Sequence, residues 1–96
     1  MCLRTRGYNR VAVYGMGKLG NWLVALLQKS GIEIEYAIDK RAAEIKCSFP
    51  VLSPNEVLPN ADAIIVSVYS EYSAIAPVLR KKSTIPVLSI IDLADN

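Results

Sequence analysis

Six consecutive residues, Gly15-Met16-Gly17-Lys18-Leu19-Gly20, put glycine at the first, third and sixth positions. A short apolar run ends just before them, and an amphipathic pattern begins inside them. In that setting each glycine has its own physical task. Gly15 permits a tight turn out of a strand. Gly17 has no β-carbon, so an anionic group can approach the backbone. Gly20 lets a helix pack closely on a sheet. The N–H groups that open the helix would then face a pyrophosphate, helped by the positive end of the helix dipole. Asp39 follows about 20 residues later, at the end of the next expected strand, where it could accept hydrogen bonds from ribose hydroxyls. Lys40 and Arg41 beside it would suit a 2′-phosphate, but Asp39 would repel one. NAD or another unphosphorylated ribose is therefore expected over NADP. The plain alternative is that Gly15 and Gly20 only shape a turn and that Asp39 is an ordinary strand-end carboxylate.

A second group lies at Ser67, Val68, Tyr69 and Ser70. The hydroxyls of Ser67, Tyr69 and Ser70 could face the same ligand, or Ser70 could cap a helix while Tyr69 packs. Glu71 would oppose a second anion there, which keeps the phosphates at the glycine loop. No catalytic set and no metal-ligand set stand out. The chain has no histidine, which excludes Ser-His-Asp, Cys-His and histidine–zinc chemistry within it. Tyr14-x-x-x-Lys18 has the spacing of a Tyr/Lys catalytic pair but crosses a strand–loop junction, so the two side chains cannot share a helix face.

The elements that must hold these residues can be read from periodicity. Arg10–Tyr14 reads as a buried strand. Leu19, Trp22, Leu23, Leu26 and Leu27 recur at helical spacing through Ser30, with Gly31 suited to a left-handed C-terminal position. Ile32, Ile34, Tyr36 and Ile38 alternate with Glu33, Glu35, Ala37 and Asp39, which predicts a strand with one wet face near a sheet edge. Residues 49–52 are a strand stub. Ser53-Pro54-Asn55-Glu56 carries three signals of a short helix start. Residues 63–68 make the most apolar strand, and so the expected sheet centre. A helix over 70–82 has Ala74, Ile75, Val78 and Leu79 as its stripe, with Pro77 inside it. Residues 86–91 make a last strand, and 92–96 a tail. Strands separated by helical segments imply a mostly parallel sheet.

Composition bounds the rest. The 96 residues are 52% hydrophobic and 21% charged, with a net charge of +2. That fits one globular domain over 10–96 behind a polar lead-in, 1–9, and not a disordered tail. The small charge excess gives no reason to expect nucleic acid, and no apolar run is long enough to span a membrane. Cys2 and Cys47 do not form a framework, and reduced thiols in a cytoplasmic protein are expected.

Val11–Asp39 resembles the dinucleotide-binding Rossmann superfamily. Residues 49–56, 61–68 and 85–93 look like small Rossmann modules of bacterial sugar metabolism. Those modules occur as sugar-nucleotide-binding domains of sugar acyltransferases, or as accessory domains of glycosyltransferases and methyltransferases. The resemblance implies an α/β, three-layer Rossmann-like fold with about five strands and helices on both faces. It also implies that Gly15, Gly17, Gly20 and Asp39 hold a nucleotide. The acyltransferases often carry a histidine in the loop where this chain has Lys18. A second resemblance, through Gly15–Gly20 and 61–68, is to the cofactor half of prephenate-type dehydrogenases, although Tyr69 stands where those enzymes usually have proline. The expectation is a nucleotide-binding module, for NAD or a nucleotide-sugar, acting with a catalytic domain or as a homodimer. A ligand-free interaction module is the remaining alternative.

Overall fold

The computed structural model describes residues 7–94. Five strands are joined in one all-parallel sheet: β1 (Arg10–Tyr14), β2 (Glu33–Ile38), β3 (Val51–Leu52), β4 (Ala63–Val66) and β5 (Val87–Ser89). Their order across the sheet is β3-β2-β1-β4-β5. The chain thus leaves β1 in one direction and returns to its other side for β4. That reversal makes a switch point between β1 and β4, with a Rossmann-like α/β architecture. Three helices accompany the sheet: α1 (Lys18–Lys29), α2 (Tyr72–Lys82) and α3 (Ile90–Ala94). No helix of the described residues is long and apolar enough to cross a membrane.

Alternate residues of the central strands belong to two separate apolar clusters. Val11, Val13, Ala63 and Ile65 pack with Leu23, Val24 and Leu27 of α1. Ala12, Tyr14, Ile64 and Val66 pack with Ala76 and Leu79 of α2. The period of two in a strand is what divides them. β4 is buried along its whole length, as an interior parallel strand must be, but the middle strand of the sheet is β1 and not the more apolar β4, which lies between β1 and the edge strand β5.

β2 departs from the clean alternation its sequence suggests. Val11 pairs with Ile34, but Ala12 pairs with Tyr36, so Glu35 is an extra residue in the ladder. Such a bulge turns the following side chains over. Ile32 and Ile34 join the α1 cluster, whereas Tyr36 and Ile38 join the α2 cluster. The wet face is therefore confined to Glu33 and Glu35, and Tyr36, Ala37 and Ile38 are all buried. β2 does lie next to an edge strand, β3.

The C-terminus of α1 has the glycine geometry its sequence implies. Gly31 has φ +82°. Its N–H donates to Gln28 O, and that of Ile32 to Leu27 O, the paired bonds of a Schellman motif. Elsewhere the elements differ from expectation. Ser53–Glu56 is a turn and not a helix. The capping bonds form, with Ser53 N–H donating to Glu56 Oε2 at 2.6 Å and Asn55 N–H to Ser53 Oγ at 3.2 Å. However, Leu58 precedes Pro59, which disfavours a helical Leu58, and the segment left is too short to nucleate. The Lys82 ammonium donates to the carbonyls of Pro54 and Glu56.

α2 begins at Tyr72 after a 3-10 turn over Tyr69–Glu71, and Ser70 caps neither. Its inner face is Tyr72, Ile75, Ala76 and Leu79; Ala74 and Val78 point outward, and so does Pro77. The last strand stops at Ser89 because a new helix starts there. Ser89 N–H donates to Asp92 Oδ2 and Ile91 N–H to Ser89 Oγ, a capping pair that turns the expected strand end and tail into α3. Part of the lead-in also belongs to the fold. Tyr8 packs on the α1 cluster, and the N–H groups of Asn9 and Arg10 donate to Asp62. Cys2, Arg4 and Arg6 lie outside the described residues. Cys47 is exposed and unbridged.

Candidate nucleotide site

The site lies where the carboxyl ends of β1, β2 and β4 meet. Gly15 leaves β1 with φ +95°, a conformation that L side chains avoid. A β-carbon on it would sit 2.7 Å from both Ser67 Oγ and Val68 Cγ2. A β-carbon on Gly20 would sit 1.8 Å from the carbonyl oxygen of Gly15. The turn and the close approach of α1 thus explain two of the three glycines within the protein itself.

Gly17 is different. Its backbone is extended, with φ −76° and ψ −158°, which any residue adopts. A β-carbon there would meet nothing within 4 Å. Neither conformation nor packing calls for glycine at this position.

The start of α1 leaves its donors open. No side chain caps it and its first turn holds no acidic residue. Among the described residues no acceptor meets the N–H groups of Gly17, Lys18, Leu19 or Gly20. The first two N–H groups of the loop are used: Gly15 N–H donates to Ile38 O at 2.8 Å and Met16 N–H to Asp39 Oδ2 at 2.7 Å. The Met16 side chain turns inward to the α1 cluster. Asn21, which no sequence motif singles out, ties the loop down. Its amide donates to the carbonyls of Met16 and Gly17. Its position in the first turn of α1 was the available signal.

Asp39 therefore shapes the loop as well as facing the cleft. Its Oδ1 accepts from Arg41 N–H at 2.8 Å. Each carboxylate oxygen retains a second acceptor position for a hydroxyl. Ser67 is 1% exposed, and its hydroxyl donates to Tyr14 O and Gly15 O at 3.0 and 2.8 Å. It joins the ends of β1 and β4, so its single proton is spent inside the fold. Lys18, Leu19, Lys40 and Tyr69 are exposed around the rim.

Two cavities flank Val68. One, of about 290 Å³, is lined by Tyr14, Gly15, Asp39, Lys40, Arg41, Val68, Glu71 and Ile75. Burial, then Asp39 and Glu71, raise the Tyr14 hydroxyl above its ordinary pKa. The other, of about 260 Å³, is lined by Gly17, Lys18, Leu19, Gly20, Ser67, Val68, Tyr69 and Ser70. The first offers carboxylate acceptors, a phenol and an apolar floor, which suits a nucleoside. The second offers open N–H groups and Lys18, which suits a phosphate. The structure thus brings residues 15–20, Asp39, Lys40, Ser67 and Tyr69 together around the carboxyl ends of β1, β2 and β4. Among the described residues no group of three metal-ligating side chains occurs. Comparison with protein-family models and with curated protein sequences finds no match for the chain.

Proposed function

We propose that the chain binds a nucleotide through its diphosphate at the Gly15–Gly20 loop, as a non-catalytic module of a sugar-modifying enzyme or complex. The observation that carries this reading is Gly17. The fold has no use for glycine there, while the adjacent N–H groups lack acceptors. An anion drawn against the backbone accounts for both. The nucleoside then lies in the cavity beside Asp39, with its ribose hydroxyls on the carboxylate. NAD and nucleotide-sugars both carry the diphosphate and unphosphorylated ribose that this arrangement fits. An oxidoreductase half-site is the second reading, and the Tyr14 phenol beside Asp39 in the nucleoside cavity is the observation in its favour. Isothermal titration with NAD, NADH and UDP-sugars tests the proposal. Saturable binding that Gly17→Val abolishes supports it; no heat at millimolar ligand overturns it.

A further inference from the structure

The apolar face of α1 is divided. Gly20, Leu23, Val24 and Leu27 are buried, while Leu19, Trp22 and Leu26 are 37%, 57% and 41% exposed. The contact of Gly20 with the Gly15 carbonyl sets the roll of the helix and turns those three outward. They do not face open solvent on a convex surface. With Tyr69, Ile90 and Ile91 they line a groove of about 260 Å³.

The groove adjoins the site already described, since Leu19 and Tyr69 line both it and the phosphate cavity. Val68 in turn joins the phosphate cavity to the nucleoside cavity. The three spaces therefore form a series: acceptors and a phenol, then open N–H groups, then aliphatic and aromatic walls. Among the described residues, the polar side-chain groups on the walls of the third are the Trp22 indole N–H and the Tyr69 hydroxyl. A hexose seated there would bring more hydroxyls than these two groups can pair with, which is unfavourable. An alkyl chain would need no partners and would cover apolar surface.

We infer that the groove lined by Leu19, Trp22, Leu26, Tyr69, Ile90 and Ile91 is a subsite for an aliphatic group esterified to the far phosphate of the bound diphosphate. This rests on the proposed role of the loop as a diphosphate site. It adds diphosphate esters of an aliphatic chain to the ligands proposed above, and a nucleotide-sugar bound at the loop would hold its hexose outside this groove.

Amide chemical-shift titrations with four probes test it: inorganic pyrophosphate, octyl diphosphate, UDP and UDP-glucose. Octyl diphosphate should bind tighter than pyrophosphate by about four-fold for each methylene seated. UDP-glucose should bind no tighter than UDP. In the Trp22→Gln/Leu26→Gln variant the octyl gain should disappear while pyrophosphate binds as before. If pyrophosphate and UDP bind but the octyl chain adds nothing, the subsite is overturned and the diphosphate reading stands. An octyl gain that survives the double substitution also overturns it. If no probe perturbs the loop amides, both readings fall. Sedimentation of both proteins covers another occupant: a dimer that the double substitution dissolves, with no octyl gain, assigns the groove to a second copy of the chain.

Discussion

Replacing Gly17 by serine should make the protein more stable and less able to bind. The extended backbone at Gly17 suits serine, and its β-carbon would enter open space. Removing a glycine at a compatible position stabilises by about 0.4–1 kcal/mol through the unfolded chain. Serine also caps a helix better than glycine by a few tenths of a kcal/mol. The sum is about 1 kcal/mol, which for a domain of this size raises Tm by roughly 4–8 °C. The same hydroxyl would fill the donors that a phosphate needs. Gly20→Ala is the contrasting variant. Its β-carbon would fall 1.8 Å from a backbone oxygen, and neither side of that contact is a flexible side chain. A loss of about 3 kcal/mol or more is expected. Urea unfolding with a constant m-value measures both. If Gly17→Ser lost stability as Gly20→Ala does, glycine at 17 would serve the fold, and the argument from its redundancy would fail.

Ser67→Ala should lose about 1–3 kcal/mol, because it leaves the Gly15 carbonyl without its buried donor; urea unfolding checks this. Asp39→Asn should lose about 1–2 kcal/mol, since an amide retains one acceptor for two N–H groups, Met16 and Arg41; faster exchange of the Met16 amide would accompany it. Tyr36 donates to Pro59 O, and burial first, then Glu35, push its hydroxyl up to about 12. A pKa raised in the folded state stabilises below the unfolded value and is lost above it, so stability should fall from about pH 10 to about 12. Thermal melts of Tyr36→Phe over that range should show a shallower fall. The Asp62 carboxyl is lowered by the N–H groups of Arg10 and Asn9. Its contribution should be present at neutral pH and fade as the solution is acidified, and Asp62→Asn should remove that part of the acid dependence.

The glycine spacing and the strand ends mark the candidate site in the sequence. Gly15, Gly20 and Gly31 each sit where the chain geometry requires them, and β1, α1, β4 and α2 followed from apolar periodicity. The inner face of α1 was not readable. Two apolar stripes, Leu19-Trp22-Leu26 and Leu23-Val24-Leu27, lie side by side on one helix. Periodicity alone cannot choose between them, and the choice is made by the close approach of Gly20 to the Gly15 carbonyl and by packing on the sheet. The bulge at Glu35 was hidden for a related reason. Ile32 through Ile38 alternates as one face, and only pairing with β1 reveals that it is two. Ser53 and Ser89 show a third limit. Both carry capping signals, but α3 forms after Ser89, whereas Pro59 stops the chain after Ser53. The ties that hold the loop, from Asp39 to Met16 and from Asn21 to two carbonyls, join backbone groups whose meeting no residue type announces.

The central claim is that the open N–H groups of the glycine loop receive a diphosphate. The most direct measurement is an amide chemical-shift titration of the folded protein with NAD and with UDP-glucose. The account predicts saturable shifts that are largest at Gly17, Lys18, Leu19 and Gly20, with smaller ones at Met16 and Asp39. No shift at these amides at millimolar ligand, or shifts centred on a face remote from them, would contradict it.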